Sequence, residues 1–316
     1  MKLIIQICCY NEAETLTTTL DALPQKVKGF DVVEWLIIDD GSTDDTARVA
    51  RQNGVDHIVQ LTSNQGLARA FMTGLETCLQ FGADVIVHTD ADNQYNADDI
   101  PVLTAPILNQ RADIVIGSRP TETTKYFSRT KKFLRKFGSQ VVRIVSQAKI
   151  PDTTSGFRAI SREAAKRLMV FNDYTYSLET IIQAGQKNIA IVSVPIRTNE
   201  DLRPSRLMKN TWTYIKWQML TILRIFVVYQ PFKFFGTIGF ILFGSGFLIG
   251  LRFLWIYFND EGEGNVQSLI LAGVLLGMGF QTLLIAFVTD LLAANRKLLE
   301  DIRCKTLEVS RNDEIK

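Results

Sequence analysis

Two stretches of the chain carry no charged side chain: Phe234 to Leu251, 18 residues, and Val266 to Thr289, 24 residues. Roughly 20 helical residues cross a bilayer core of about 30 Å. With their apolar flanks the two stretches read as spans over about 232–257 and 266–293. A short acidic loop, Asn259-Asp260-Glu261-Gly262-Glu263-Gly264-Asn265, joins them. Lys233 precedes the first span, and Arg296 and Lys297 follow the second. Cationic flanks stay on the cytoplasmic side. The expectation is an integral membrane protein with a transmembrane hairpin over 231–295. Its front domain (1–230), its tail (296–316) and both termini are expected in the cytoplasm. Arg252, near the outer end, can extend its charge to the far interface. Gly246 and Gly250, and Gly273 and Gly277, carry the spacing that lets helices approach closely. They read as packing, with contact between copies in a homo-oligomer as the alternative.

The rest of the composition narrows the options by exclusion. The chain has 35 Lys and Arg against 33 Asp and Glu, so net charge gives no reason to expect a nucleic-acid partner. Charged residues at 22% exclude wholesale disorder. The four cysteines, Cys8, Cys9, Cys78 and Cys304, lack metal-ligand spacing and read as reduced thiols facing the cytosol. Two histidines, His57 and His88, are too few for a multi-histidine zinc site. The apolar run Leu3–Ile7 is too short for a signal peptide and meets Asn11 and Glu12 at once.

The front of the chain alternates two textures. Short β-branched runs fall at Leu3–Ile7, Val33–Ile38, His57–Leu61, Val85–Thr89 and Ile114–Ile116. Helical spacing separates them, over Glu12–Leu23, Asp44–Gln52, Leu67–Phe81 and Ala97–Leu108. This alternation predicts an α/β fold, a mostly parallel sheet with helices on both faces. Ligands of such sheets sit beyond the carboxyl ends of the strands. The polar clusters fall there: Tyr10-Asn11-Glu12, Asp39-Asp40-Gly41-Ser42, Asp90-Ala91-Asp92 and Gly117-Ser118-Arg119.

Beyond Thr121 the texture changes. Lys125 to Lys149 holds eight Lys or Arg and no acid, and Leu202 to Lys233 holds six. Each carries an apolar stripe at helical spacing: Phe133, Phe137, Val141 and Ile144 in the first, Met208, Trp212, Ile215 and Met219 in the second. Basic amphipathic helices, at about 128–148 and 205–229, suit the headgroup boundary of an anionic leaflet.

Asp90-Ala91-Asp92-Asn93-Gln94, directly after a predicted strand, carries the clearest chemistry. Two carboxylates one residue apart can share a hard cation, and Mg2+ or Mn2+ takes a couple of carboxylates plus substrate phosphates. Gln94 offers a further carbonyl oxygen. In Asp39-Asp40, strand alternation lets only one acid face a ligand. Asp40 is assigned to a nucleobase or ribose, Asp39 to pinning the turn, and Ser42 and Asp44 to capping the following helix.

These clusters, with Cys8-Cys9 ahead of Tyr10, and with Asn64-Gln65-Gly66 and Ser155-Gly156-Phe157-Arg158, occur in an order and spacing that resembles the family 2 inverting glycosyltransferases of GT-A fold. Within them the chain is similar to the polyprenyl-phosphate branch, the dolichol-phosphate mannose synthases and bacterial undecaprenyl-phosphate glucosyltransferases. The likeness covers roughly 2–210, and the two spans are similar to those of the bacterial members. It implies a metal-dependent transfer of one hexose, with inversion, from a nucleotide-sugar donor to a polyprenyl (undecaprenyl or dolichyl) phosphate. By the resemblance Tyr10, Glu12 and Asp40 hold the nucleoside, and Asp90, Asp92 and Gln94 the metal. Arg203 and Arg206 close over the diphosphate, and Arg119, Arg135 and Ser139 grip the acceptor phosphate. Asp152 holds the catalytic position. The sequence departs from the pattern at Cys8, where Pro is usual, and at Arg143, where Asn is usual. Its Arg203 loop is shorter than that of the mannose synthases, and two spans match the glucosyltransferases, so UDP-glucose is favoured over GDP-mannose.

Elementary chemistry agrees on the acceptor. Arg135 and Ser139, four apart, share one helical face, and arginine forks suit phosphate oxygens. A lipid monophosphate has a second pKa near 6 and is largely anionic at pH 7, so its oxygen attacks without losing a proton. Asp152 is expected to orient the acceptor or sugar, acting as base only for the monoprotonated phosphate, and Glu179 is a second carboxylate candidate for the sugar. A processive polysaccharide synthase would carry Gln-x-x-Arg-Trp and more spans, which this sequence lacks. A non-catalytic scaffold or lipid-sugar translocator would not need the Asp90 and Asp92 pair.

Overall fold

The computed structural model describes residues 1–120, 150–170, 176–200, 223–224, 227–259 and 266–314. It divides into two compact units, Met1–Trp217 with Cys304–Lys316, and Gln218–Arg303. Arg135, Ser139, Arg203 and Arg206, and most of the two predicted basic helices, lie outside the described residues.

The first unit is built on a sheet of seven strands. They are β1 (Lys2–Cys9), β2 (Val32–Asp39), β3 (His57–Gln60), β4 (Val85–Asp90), β5 (Ile114–Ser118), β6 (Arg158–Ser161) and β7 (Ile191–Pro195). Their order across the sheet is β3-β2-β1-β4-β6-β5-β7. β1 lies parallel to β2 and β4, β2 to β3, and β5 to β7. β6 alone runs antiparallel, inserted between β4 and β5. Among the described residues six α-helices accompany the strands: α1 (Ala13–Ala22), α2 (Thr46–Gln52), α3 (Leu67–Gln80), α4 (Ile100–Leu108), α5 (Arg162–Arg167) and α6 (Ser177–Gln186).

Central parallel strands are covered on both faces and therefore read as continuous apolar runs. Leu3, Ile4, Ile5 and Ile7 of β1 are all fully buried. Because side chains alternate along a strand, the odd residues join Leu16 and Leu20 of α1 and Ile100 and Leu103 of α4 in one core. The even face lies under α3. There Gly74 leaves room for Gln6: a Cβ at that position would sit 2.6 Å from the Gln6 Oε1 and 3.2 Å from Ile38. The sheet is thus mostly parallel with helices on both faces, as the alternation predicts.

The second unit holds α7 (Pro231–Asn259) and α8 (Val266–Glu314) as far as Arg303, the residues from Cys304 onward being grouped with the first. Segments Pro231–Asn259 and Val266–Glu300 are long and apolar enough to cross a membrane, with mean hydropathy 2.0 and 2.2. α8 continues without a break through most of the stretch expected as a separate tail. The glycine expectation is corrected in part. A Cβ on Gly246 would lie 2.8 Å from the Leu276 backbone, one on Gly239 3.0 Å from that of Leu283, and one on Gly279 2.5 Å from that of Phe243. Among the described residues nothing lies within 4 Å of a Cβ at Gly273 or Gly277, and Gly250 meets only Ala272, at 4.0 Å. The helices therefore approach through Gly239, Gly246 and Gly279. Spacing alone finds small residues but not the phase at which two helices cross.

Candidate active site

The carboxyl ends of β1 and β2 are knitted together by their loops. The Asn11 amide donates to the Ser42 Oγ (2.9 Å), the Glu12 amide to the Thr46 hydroxyl (2.9 Å), and the Ala13 amide to the Asp44 carboxylate (3.1 Å). In return the Thr43 amide donates to the Asn11 Oδ1 (2.8 Å). The capping expectation holds in part: Asp44 accepts from the Thr46 amide at the start of α2 (3.0 Å) as well as from Ala13, whereas Ser42 serves the Asn11 amide and Asp45, the N-cap residue of α2, makes no side-chain cap bond. Helix N-termini leave several N–H groups to be satisfied, and here a neighbouring loop supplies the acceptors. Tyr10 stands open on this rim, 43% exposed. The Glu12 carboxylate accepts from the Thr15 hydroxyl at 3.0 Å.

Asp39 accepts from the Ser42 amide (3.0 Å) and from Gln60 (3.2 Å), which fixes the turn. Asp40 is buried, and its two oxygens accept from the amides of Gln65 (2.8 Å) and Gly66 (2.9 Å). Asp40 thus ties the Asn64-Gln65-Gly66 loop to the end of β2. Gly41 permits this contact, having φ +68° and space for no Cβ: one would lie 2.5 Å from the Ser63 backbone.

At the end of β4, Ala91 is buried with its carbonyl accepting from the Thr19 hydroxyl (2.8 Å). Asp90 and Asp92, on either side of it, stay half-buried. The Gln94 amide donates to the Asp92 Oδ1 at 3.2 Å. Asn199 clamps the next residues, donating its amide to the Gln94 carbonyl and its side chain to the Asn93 carbonyl, both at 2.9 Å. Arg197, anchored on buried Asp99 by bonds of 3.0 and 2.7 Å, holds that clamp.

The antiparallel β6 decides what faces these acids. Its first residue is at the carboxyl edge of the parallel strands, so the loop ahead of it, Asp152 to Phe157, lies at the same edge. Gly156 sits directly against Asp90: a Cβ there would be 2.9 and 3.0 Å from the carboxylate oxygens. Its amide donates to the buried Tyr95 hydroxyl (2.9 Å). Burial, with Asp90 adding repulsion, pushes the Tyr95 phenol up to about 12. Four residues earlier, Asp152 takes a two-point grip from Arg119, Nε to Oδ2 at 2.7 Å and Nη2 to Oδ1 at 3.1 Å. Thr154 joins both, its hydroxyl accepting from Arg119 (2.9 Å) and donating to Asp152 (2.9 Å). Burial raises the Asp152 carboxyl, but the Arg119 hydrogen bond and charge outweigh it and hold it below the usual carboxylate range. The expected catalytic acid and an expected phosphate ligand are therefore one ion pair. Glu179 is buried within α6.

Sequence reasoning passed over the polar residues beneath this surface. Gln6, His88 and Arg158 are each fully buried and paired in register across β1, β4 and β6. The signal available was a polar residue interrupting each apolar run. Arg158 donates to the carbonyls of Ser155 (2.9 Å) and Ser177 (3.1 Å) and to the Thr180 hydroxyl, fastening the Asp152–Phe157 loop to α6.

A divalent cation fits the residues present. Among the described residues no three His, Cys, Asp or Glu side chains converge, so a closed protein cage is not what this edge offers. Half-buried Asp90 and Asp92 offer hard carboxylate oxygens at the end of β4, the kind of donor that Mg2+ or Mn2+ combines with phosphate oxygens and water.

Comparison with known proteins agrees with this architecture. The model of the family described as Glycosyl transferase family 2 matches residues 4–169. The undecaprenyl-phosphate mannosyltransferase of Micrococcus luteus is 30% identical over 207 residues, 62% of this chain and 83% of that protein. The UDP-N-acetylglucosamine–dolichyl-phosphate N-acetylglucosaminyltransferase of Methanococcus voltae is 30% identical over 220 residues, 62% of this chain and 86% of its own length. The crystal structure of glucosyl-3-phosphoglycerate synthase from Mycobacterium tuberculosis with Mn2+, uridine diphosphate and phosphoglyceric acid aligns with a TM-score of 0.54 at 19% identity, over 70% of this chain and 78% of that one. That likeness shows a shared GT-A fold. With the family model covering more than half of its length, the chain belongs to glycosyl transferase family 2, in the branch whose named relatives glycosylate polyprenyl phosphates.

Proposed function

We propose that this enzyme moves a single hexose from a nucleoside-diphosphate sugar to a polyprenyl phosphate at the cytoplasmic face of a membrane, with inversion at the anomeric carbon. The observation that carries this reading is the Asp152–Phe157 loop, which touches both halves of such a reaction. Gly156 seats Asp90 on the donor side, and Asp152 grips Arg119 on the acceptor side. Tyr10, Glu12 and Asp40 are assigned to the nucleoside, Asp40 in part through the Gln65 and Gly66 amides that it holds. Arg203 and Arg206 are assigned to the diphosphate, and Arg119, Arg135 and Ser139 to the lipid phosphate. Both relatives reported above are named for polyprenyl phosphates, and the M. tuberculosis neighbour was crystallised with Mn2+ and uridine diphosphate. Lys233, Arg296 and Lys297 on one side of the hairpin, and the acidic loop on the other, support a cytoplasmic front.

In the reaction an oxygen of the lipid phosphate forms a bond to the anomeric carbon from the face opposite the nucleotide. The bond from that carbon to the β-phosphate oxygen breaks, and its electrons leave with the nucleoside diphosphate. The obstacle is the approach of two anions. Mg2+ or Mn2+ bound at Asp90 and Asp92 would neutralise charge on the diphosphate. Arg119 meets the incoming phosphate, exchanging part of its hold on Asp152 for a phosphate oxygen, and Asp152 keeps the guanidinium plane in place. Asp152 does not need to take a proton, since the acceptor is largely deprotonated at pH 7.

UDP-glucose is the favoured donor. GDP-mannose is the second reading, because several relatives are named for mannose transfer. Membranes carrying the chain are mixed with undecaprenyl or dolichyl phosphate, Mn2+ and, in separate tubes, radiolabelled UDP-glucose, GDP-mannose and UDP-N-acetylglucosamine. Label in the organic phase from one donor, abolished by EDTA, supports the proposal and names the sugar. Label in polymer would indicate a processive synthase. No transfer from any donor by folded protein would leave the scaffold reading.

A further inference from the structure

A buried polar chain runs under the acid pair, and the assigned roles leave it unused. Gln6 and His88, facing each other across β1 and β4, are fully buried among apolar neighbours. Polar groups in such a place destabilise unless they are paired. Three of the four functional ends are paired. The Cys78 thiol lies 3.7 Å from the Gln6 Oε1, the Gln6 Nε2 lies 3.5 Å from the Phe71 carbonyl, and the same Nε2 lies 3.2 Å from the His88 Nδ1. A carbonyl neighbour requires that the Gln6 nitrogen be the donor. The His88 Nδ1 must therefore accept, which leaves the proton on Nε2.

That Nε2–H is buried with no hydrogen-bond partner among the described residues, and it points at the Asp90 carboxylate, 3.7 Å from Oδ1. The ring cannot easily turn away. It packs edge-on against both Phe71 (ring centres 5.1 Å apart) and Tyr176 (5.2 Å), which stack on each other at 3.9 Å.

We propose that His88 is a positioning residue for the cation site. Its Nε2–H closes onto the Asp90 carboxylate when that carboxylate turns to a divalent cation, fixing which oxygen faces the metal. The Cys78–Gln6 relay fixes which nitrogen carries the proton. Outer partners of this kind typically account for 10–100-fold in metal affinity. The inference rests on the assignment of Asp90 as a metal ligand.

The test uses the full chain in detergent, titrated with Mn2+ and followed by electron paramagnetic resonance, alone and with UDP or GDP present. His88→Asn places an amide near Nδ1 only and should raise the half-saturating Mn2+ concentration about 10–100-fold. His88→Gln carries its nitrogen to the place of Nε2 and should stay within about threefold of the parent. Parental binding by His88→Asn, or an equal loss in both variants, overturns the proposal. Asp90→Asn separates the two levels: if it binds Mn2+ like the parent, the metal site itself is wrong and this inference falls with it. A measurement on the unaltered chain stands beside the variants. With only His57 and His88 to assign, 15N-histidine spectra should show His88 as the Nε2–H tautomer, its signal moving when Mg2+ is added. An Nδ1–H tautomer, or a signal blind to the cation, refutes the relay.

Discussion

Replacing Asp152 with Asn tests whether this carboxylate holds Arg119 or takes a proton. Asn keeps one oxygen for the guanidinium but loses the second acceptor and the charge of a pair whose acid is 9% and whose arginine is 30% exposed. A hydrogen bond to a charged group contributes about 1.5–3 kcal/mol. Arg119 is partly in water, which moves the expected loss down to about 1–2 kcal/mol. At 1.4 kcal/mol per decade this is roughly a 5–30-fold fall in kcat/KM for the lipid acceptor. The deficit should stay constant from pH 6.5 to 9, because Asp152 is ionised throughout and the acceptor phosphate titrates alike in both proteins. The assay is the initial rate of organic-phase label across that range. A deficit that closes to within about threefold above pH 8 would identify Asp152 as the base for the monoprotonated phosphate and refute the holding role. Stability supplies a second check. A carboxyl whose folded pKa is depressed stabilises fully above its unfolded value of about 3.9, and loses that effect as pH falls through the lower folded value. The melting-temperature gap between parent and Asp152→Asn should therefore be flat from pH 5 to 9 and narrow only in stronger acid.

Gly156→Ala drives a methyl group against both Asp90 oxygens and the Tyr176 hydroxyl. The Mn2+ concentration for half-maximal activity should rise about tenfold or more while far-ultraviolet circular dichroism is unchanged, and an unchanged metal requirement would mean that Asp90 does not carry the cation. Tyr95→Phe strands the buried Gly156 amide, a loss of about 1–3 kcal/mol, to be read as a lower melting temperature; an unshifted midpoint would show that water replaces the phenol. In the hairpin, Gly279→Leu should cost at least about 1–3 kcal/mol of packing and lower the thermal stability of the detergent-solubilised protein. Gly273→Leu, where no described neighbour lies within 4 Å, should be tolerated, and equal effects at the two positions would contradict the crossing seen here.

The parts of this fold that were legible in the sequence are those in which burial is a property of one strand or helix. β1, β2, β4 and β5 announce themselves because most of their length is buried and apolar, and the two spans because long stretches of them carry no charge. The site was legible only as clusters at strand ends. Ser42 looks like a cap of the helix that follows it, yet it serves the Asn11 amide two elements away, and Asp44 divides its oxygens between the Thr46 and Ala13 amides, because a loop satisfies whichever donor the fold brings near. Arg119 and Asp152 are 33 residues apart, and no spacing rule connects them. The deepest gap is β6. Four residues beginning with an arginine do not read as a buried strand, since what neutralises Arg158 is a set of carbonyls from Ser155 and Ser177 that only the tertiary structure assembles. The direction of that strand also sets the chemistry. A parallel β6, continuing the pattern of β1 to β4, would start at the opposite edge of the sheet. Its four residues span about 13 Å at roughly 3.3 Å each, so the preceding loop would stand at least that far from Asp90, and Gly156 could not seat the carboxylate while Asp152 held Arg119. The reversal of one short strand is what brings the donor side and the acceptor side of this site within reach of one loop.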